Sequence, residues 1–222
     1  MKKIVKEKNI FFYSSLNIQD NFLIWNEIKF ITQLGYSNII IKFDNLDLLE
    51  HWIEDNNQKD MKSLDDTKIN LIYRLHLSYN TRTSDLKKIR RILNKVSKIE
   101  DKYNVTIIKS IDEELSNIIT PNHMEYYGVK IITLTNFRWK VLKRFHRHRV
   151  YFEIILDRLF SDKKYMANAL PMIDPLEKSD KLLFTQIKPI VKTTEFPYLL
   201  SSLTDGKYAS YGPITRWSDI LW

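Results

Sequence analysis

Short apolar runs of strand type alternate with longer amphipathic stretches along the whole chain, and this alternation constrains the fold most. The seven predicted strands are Ile10–Leu16, Asn38–Phe43, Ile69–Leu77, Val105–Lys109, Val129–Leu134, Val150–Leu156 and Tyr198–Leu203. The second and fifth have almost continuously apolar cores, which is typical of strands covered on both faces. The stretches between the strands are long enough for the crossovers that parallel strands require. The pattern therefore predicts an α/β fold with a parallel sheet.

Helical periodicity predicts what lies between the strands. The predicted helices are Asp20–Leu34 with Gly35 as its C-cap, Asp85–Tyr103 with Ser84 as its N-cap, Asn136–His148, and a largely helical stretch Pro175–Thr194. The polar stretch Glu54–Lys68 is predicted to be a long surface loop. No linker rich in Gly, Pro or Ser interrupts the chain, so we predict one domain over residues 1–222, a TIM-barrel-like (β/α) barrel of about seven strands. An open doubly wound sheet remains the alternative, because periodicity does not show closure.

The amino-acid composition excludes several classes of functional site and favours one kind of partner. The 222 residues contain no Cys, which excludes thiolate catalysis, disulfides and zinc sites built on thiolates. No apolar stretch is long enough to span a membrane, and no signal core follows the basic start MKKIVKEKN, so we expect a cytoplasmic protein without membrane contact. The net charge of +8 favours a polyanionic partner.

Candidate catalytic residues are few. The pair His146 and His148 has the spacing of metal ligands but lies among arginines, which would repel a cation. His76, near a strand end, is a candidate functional histidine, although a hydrogen-bonded structural histidine is the commoner outcome. Glu153, inside the apolar run VYFEIIL, is a candidate general acid or base, but such carboxylates are more often structurally paired. Asp44 and Asp157 each follow a strand; no converging pair is evident, and we predict neither a catalytic residue nor a metal ligand.

The cations, in contrast, form two clusters. The first, on the predicted helix Asp85–Tyr103, contains cations outside the apolar stripe, of which we predict RNA contact for Lys87, Arg90, Arg91, Lys95 and Lys98. The second has six cations in twelve residues with no acid among them: Arg138, Lys140, Lys143, Arg144, Arg147 and Arg149. Two strand-end cations, Lys42 and Arg74, are further candidates. Such faces neutralise phosphates and release counterions, and without a base-reading motif they favour contact with the nucleic-acid backbone.

Within the second cluster, the spacing places Lys140, Arg144 and His148 on one helical row. We expect most of the RNA contact from Lys140, Lys143, Arg144 and Arg147. Arg149 lies close enough to the next strand to pack against the barrel instead.

Five motifs in order resemble the ribonuclease P protein component 3 family, whose eukaryotic relatives carry a thirty-kilodalton subunit. They are GYSNIIIKF (35–43), GVKIITL (128–134), VYFEIILDRLF (150–160), LLSS (199–202) and YGPITRWSDIL (211–221). Where the family carries an Arg two positions before the turn proline, this chain has Tyr211, and Arg216 is our candidate for supplying that cation. The chain is similar to the compact archaeal form.

The resemblance implies a barrel related to the polymerase and histidinol phosphatase metallohydrolases but without their metal ligands. It implies a subunit of the ribonucleoprotein that removes the 5′ leader from precursor tRNA, in which the RNA subunit and its Mg²⁺ ions perform catalysis. The protein would bind and stabilise the catalytic domain of that RNA and bind no cofactor itself. Its implied partners are the ribonuclease P RNA, protein component 2 in a two-plus-two heterotetramer, and the other ribonuclease P proteins, with precursor tRNA as substrate of the complex.

Two other classes of function stay open at this point. One is a stand-alone barrel metallohydrolase acting on a phosphoester or amide, which requires converging His and carboxylate ligands at the strand ends. The other is a basic scaffold for protein interaction, which would show no salt-dependent RNA binding.

Overall fold

The computed structural model describes residues 11–14, 28–30, 32–33, 38–57, 70–79, 85–179 and 181–185. Its strands are β1 Phe11–Ser14, β2 Asn38–Phe43, β3 Asn70–Leu77, β4 Ile107–Asp112, β5 Val129–Thr133, β6 Tyr151–Ile155 and β7 Leu182–Thr185. Its helices are α1 Leu46–Asn57, α2 Leu86–Tyr103, α3 Pro121–Tyr127, α4 Trp139–Phe145, α5 Leu156–Ser161 and α6 Lys163–Lys178, with a 3-10 turn at Leu115–Asn117. Residues 28–30 and 32–33 are also helical.

The seven strands form one parallel sheet in chain order, from β1 to β7. The predicted α/β class with a parallel sheet is thereby confirmed. The sheet is curled, because Ile40 on β2, Ile108 on β4 and Leu183 on β7 belong to one buried apolar cluster. In a flat sheet, β2 and β7 would lie roughly 24 Å apart at about 4.8 Å per strand. Cα atoms of β1 and β7 come within 8 Å of each other, although no hydrogen-bonded ladder joins these two strands in the ranges given above.

The two faces of the sheet differ in what covers them. The outer face packs against the helices, and α2 buries Ile89, Leu93 and Val96 from its apolar stripe there. Burying an aliphatic side chain of this size contributes roughly 1.5–3 kcal/mol, so such a stripe fixes a helix on the sheet. The concave face carries the apolar cluster of Ile40 and its neighbours at one level, with polar side chains farther along the same strands.

Several element boundaries differ from the predictions. The strand Leu182–Thr185 lies inside the stretch 175–194 that was predicted to be helical, and this prediction is wrong: four consecutive buried residues fit a short strand as well as a helix. Residues 54–57 belong to α1 rather than to a loop. The N-cap of α2 is Asp85, whose carboxylate accepts a hydrogen bond from the backbone N–H of Lys87 at 2.9 Å.

Of the other predicted strands and helices, some are confirmed and some fall on residues that the structure does not describe. Six of the predicted strands coincide with β1 to β6 apart from their ends. The predicted N-cap Ser84 is wrong, because Asp85 caps α2. The predicted strand 198–203, the cap at Gly35 and most of the helix 20–34 lie outside the described residues.

Candidate nucleic-acid interface

A buried polar network lies on the concave face of the sheet, and Arg74 on β3 is its centre. The guanidinium donates to both carboxylate oxygens of Glu153 on β6, from Nη1 to Oε1 at 2.5 Å and from Nη2 to Oε2 at 2.7 Å. It also donates from Nε to Ser110 Oγ at 2.7 Å and from Nη2 to Thr133 Oγ1 at 3.2 Å. Arg74 is fully enclosed, at 0% exposure, so the prediction that it contacts RNA is wrong. Its charge is needed inside the sheet, because an unpaired buried carboxylate is strongly destabilising.

Glu153 is therefore a structurally paired carboxylate rather than a general acid or base, and the commoner of the two predicted roles is confirmed. Burial by itself would raise the pKa of Glu153. The charge and hydrogen bonds of Arg74, together with the hydroxyl of Thr133 at 2.5 Å, hold this pKa below its ordinary value. The carboxylate stays ionised at neutral pH and is not poised to exchange protons.

His76 is a second buried member of this network. Its Nδ1 lies 3.1 Å from Ser110 Oγ, which also accepts from Arg74 and donates to the backbone oxygen of Leu75. Burial first, and then the charges of Lys42 and Arg74, lower the pKa of His76 well below 6.5. The imidazole is neutral and structural.

A buried carboxylate organises the turn that begins the second basic cluster. Glu113, at 0% exposure directly after β4, accepts hydrogen bonds from the backbone N–H groups of Thr135 (2.9 Å), Asn136 (2.7 Å) and Phe137 (2.9 Å), and from that of Arg138. Phe137 has a left-handed backbone conformation, with φ of 55°. The first helical residue of α4 is consequently Trp139 rather than the predicted Asn136, because residues 135–138 form this turn. Sequence reasoning missed Glu113 because the predicted strand ended at Lys109, so the position directly after the strand was misplaced.

The cations of the second cluster are on the surface, but some of them contact other groups of the protein and others do not. Lys140, Lys143, Arg147 and Arg149 are exposed and form no ion pair with any part of the chain that the structure describes. The expectation that Arg149 packs against the sheet is wrong. The helix α4 ends at Phe145, so His148 does not continue the predicted row of Lys140 and Arg144.

Two arginines of this cluster are engaged by the protein itself. Arg144 donates from Nη1 to the backbone oxygen of Ser116 at 2.8 Å and stacks over Phe145, with 5.4 Å from Cζ to the ring centroid. Arg138 forms an exposed ion pair with Glu114 at 3.7 Å. Exposed pairs of this kind are worth about 0–1 kcal/mol, so Arg138 remains available to an outside anion.

The cations predicted on α2 are exposed as well: Lys87, Arg90, Arg91, Lys95 and Lys98. Arg90 Nη2 lies 2.8 Å from His123 Nε2 on α3, which fixes that guanidinium between the two helices. Of the other candidates, Lys42 is mostly buried and lies 3.7 Å from Asp44 Oδ1. Burial lowers its pKa, and because little of its side chain is exposed, Lys42 is less accessible to a phosphate than the α2 cations. Arg216 lies outside the described residues.

Among the described residues, no group of three or more His, Asp or Glu side chains is placed to hold a metal ion. Asp157 lies in the first turn of the short helix α5, and Asp44 borders the turn into α1. Within the described ranges, no helix is both long and apolar enough to cross a membrane.

Comparison with models of known protein families found no match, and no curated protein matches the chain.

Proposed function

We propose that this protein is an RNA-binding accessory subunit of ribonuclease P, the ribonucleoprotein that removes the 5′ leader from precursor tRNA. In this proposal the protein has no active site of its own. It binds the catalytic domain of the RNA subunit in the cytoplasm, and the RNA carries out the hydrolysis with its Mg²⁺ ions. Its protein partner is component 2 of the same enzyme, in a two-plus-two assembly with the other subunits.

The succession of motifs supports this proposal. Three of the five motifs that resemble the component 3 family supply strands of the parallel sheet: IIIKF lies in β2, VKIIT is β5, and YFEII is β6. The curled sheet in chain order is compatible with a TIM-like barrel, and we propose closure of the polymerase and histidinol phosphatase type. The concave face of this sheet holds the buried pair of Arg74 and Glu153.

The observation that carries the proposal is the group of four exposed cations at α4 and the turn after it, namely Lys140, Lys143, Arg147 and Arg149. They lie on the outer, helical layer, away from the polar network of the concave face. Surface cations without acidic neighbours attract polyanions, and arginines bind phosphate oxygens through two parallel hydrogen bonds. Contact of this kind reads the shape and backbone of RNA rather than its bases.

The identity of the RNA is tested by recovering the protein from its native cell and sequencing the RNA bound to it. We expect enrichment of one structured RNA that, with purified protein subunits, cleaves the 5′ leader from precursor tRNA. Omitting this chain from the reconstituted enzyme should lower cleavage most at low magnesium concentration, where the RNA depends most on protein for charge neutralisation. Recovery without any ribonuclease P RNA would contradict the proposal. So would metal-dependent phosphoesterase activity of the purified protein alone.

The role of the surface is tested with two charge-matched double variants. Arg147→Ala/Arg149→Ala removes two cations after α4, whereas Lys163→Ala/Lys164→Ala removes two exposed cations from the start of α6. Each lost phosphate contact lowers the log–log salt slope of RNA binding by about 0.7–0.9. We expect this reduction for the first variant only. Equal slopes in both variants would show that the α4 surface is not the RNA contact.

A further inference from the structure

A cleft of about 430 Å³ lies at the carboxyl edge of β2 and β3. It is lined on one side by the turn after β2 and the start of α1, on the other side by α2, and at its base by the end of β3. The volume is within the range of about 300–1,000 Å³ that ligand sites occupy. The position is also typical, since parallel α/β sheets bind ligands outside the carboxyl ends of their strands.

The α2 side of the cleft is cationic. Lys88, Arg91 and Lys95 are three and four residues apart, so they lie in one row along the helix. All three are exposed and form no ion pair within the described ranges, unlike Lys102 farther along the same helix, which lies 3.3 Å from Glu50. Three exposed cations in one row present a site for one or two phosphate groups.

The other side of the cleft is acidic and ordered. Asp47 lies in the first turn of α1, and its backbone N–H donates to Asn45 Oδ1 at 2.8 Å, which fixes the start of the helix. Asp44, the second carboxylate of the lining, forms an ion pair with Lys42, with 3.7 Å between Oδ1 and Nζ. A carboxylate repels phosphate but accepts hydrogen bonds from hydroxyl groups, so a ligand must place its anionic part toward α2 and its hydroxyl groups toward α1.

Apolar side chains complete the lining between the charged sides. Leu77, at 3% exposure, ends β3, and the half-buried Leu46 and Ile92 come from the two helices. These side chains offer a surface against which a flat ring or a sugar face can pack. Phosphate, hydroxyl and ring in one small ligand are the three parts of a ribonucleotide.

We propose that this cleft binds one unpaired ribonucleotide of an RNA strand. The proposal rests on the proposed RNA binding and specifies its chemistry. Lys88, Arg91 and Lys95 hold the flanking phosphates, Asp47 accepts a hydrogen bond from the ribose 2′-hydroxyl, and Leu46, Leu77 and Ile92 contact the base. A hydrogen bond to the 2′-hydroxyl distinguishes RNA from DNA at such a position. A base-paired nucleotide is excluded, because its partner strand would not enter a cleft of this size.

The test compares two triple variants of the same helix. The cleft variant is Lys88→Ala/Arg91→Ala/Lys95→Ala, and its control is Lys87→Ala/Arg90→Ala/Lys98→Ala, which also removes two lysines and one arginine but does not alter the cleft. Binding of a short single-stranded oligoribonucleotide is measured against salt concentration. We expect the cleft variant to lose at least tenfold in affinity and about 0.7 in salt slope for each single-strand phosphate contact. The control should retain most of the affinity for this short strand.

A third variant tests the acidic side. Asp47→Asn keeps the size of the side chain and removes its charge, so it should narrow the preference for an oligoribonucleotide over the oligodeoxyribonucleotide of the same sequence. Competition experiments show whether the cleft prefers an RNA strand, a free nucleotide or an acidic peptide. The competitors are other single-stranded RNA, a nucleoside monophosphate and an acidic peptide. Displacement of the oligoribonucleotide only by other single-stranded RNA supports the proposal; equal displacement by the free nucleotide or by the peptide overturns it.

The two proposals fail separately. If the native protein carries ribonuclease P RNA but both triple variants weaken the oligoribonucleotide equally, the cleft proposal is wrong and the proposed function stands. If the oligoribonucleotide binds in the cleft but no ribonuclease P RNA is recovered with the protein, the proposed function is wrong and the cleft proposal stands.

Discussion

Two arginines of this protein, Arg74 on the concave face of the sheet and Arg149 after α4, show what surroundings do to one side chain. Arg74 is fully buried and donates to Glu153, Ser110 and Thr133. Arg149 is exposed and has no ion-pair partner within the described ranges. Removing a guanidinium from water is costly unless every donor is satisfied, so the buried arginine is committed to its partners. Only the exposed arginine is available to an outside phosphate.

The largest expected effect comes from breaking the buried pair. Arg74→Met keeps the length of the side chain but leaves the Glu153 carboxylate buried without its partner. We expect the free energy of unfolding to fall by about 3–5 kcal/mol, the usual cost of removing one member of a buried ion pair. Denaturant unfolding followed by circular dichroism measures it.

The double variant Arg74→Met/Glu153→Leu is the control for this experiment. Because it removes both charges, it should recover much of the lost stability. A double variant no more stable than Arg74→Met would show that the cavity, rather than the unpaired charge, causes the loss.

The second effect concerns the turn that positions the cations of α4. Glu113→Gln keeps the shape of the side chain but removes the charge that four backbone N–H groups share, and its amide nitrogen cannot accept from them. A loss of about 1–3 kcal/mol in the free energy of unfolding is expected. Exposed Glu114, with Glu114→Gln, is the matched control and should change stability little. Equal losses in the two variants would contradict the role of Glu113.

The third effect depends on pH. Since the pKa of His76 in the folded protein is well below 6.5, the unfolded chain takes up a proton near pH 6.5 that the folded protein does not. Stability should therefore be full above pH 6.5 and fall as pH is lowered, by up to about 1.4 kcal/mol per pH unit from this group. The variant His76→Gln should show a smaller pH dependence of stability between pH 5 and 6.5, measured by denaturant unfolding at a series of pH values. An unchanged pH dependence in this variant would contradict the role of His76.

The smallest effect on stability is expected at the exposed arginine. Arg149→Met should change the free energy of unfolding by less than about 0.5 kcal/mol, because the guanidinium loses no buried partner. Thermal unfolding measures this change beside Arg74→Met. A loss comparable with that of Arg74→Met would show that Arg149 is bound within the protein, and it could then not serve as a phosphate ligand.

Much of the fold was predictable because it follows from local periodicity. The strands β2, β3 and β5 and the helix α2 each carry a long, strong pattern, and their observed bounds differ from the predicted ones by a residue or less. The strand β7 was not predictable in the same way. Its four apolar residues LLFT are too few for periodicity to separate a strand from a helix.

The candidate site was predictable only in part. Counting charges located both basic clusters, and the position of Glu153 in an apolar run predicted that it is buried and paired. Its partner was not predictable from the sequence, because Arg74 lies 79 residues earlier in the chain and resembles any other strand-end cation. The cleft beside Lys88 also requires α1 and α2 to lie side by side, which no stretch of sequence contains.

The sequence by itself thus determined the α/β class, the parallel sheet and the two basic clusters, since each depends on residues close together in the chain. Only the tertiary structure decided which cations are inside and which are outside. That choice depends on whether partners from distant strands converge on the same buried point, because a charge enters the interior only where its hydrogen bonds are satisfied. Curling of the sheet brings β3, β4, β5 and β6 around Arg74, and it leaves Arg149 in water.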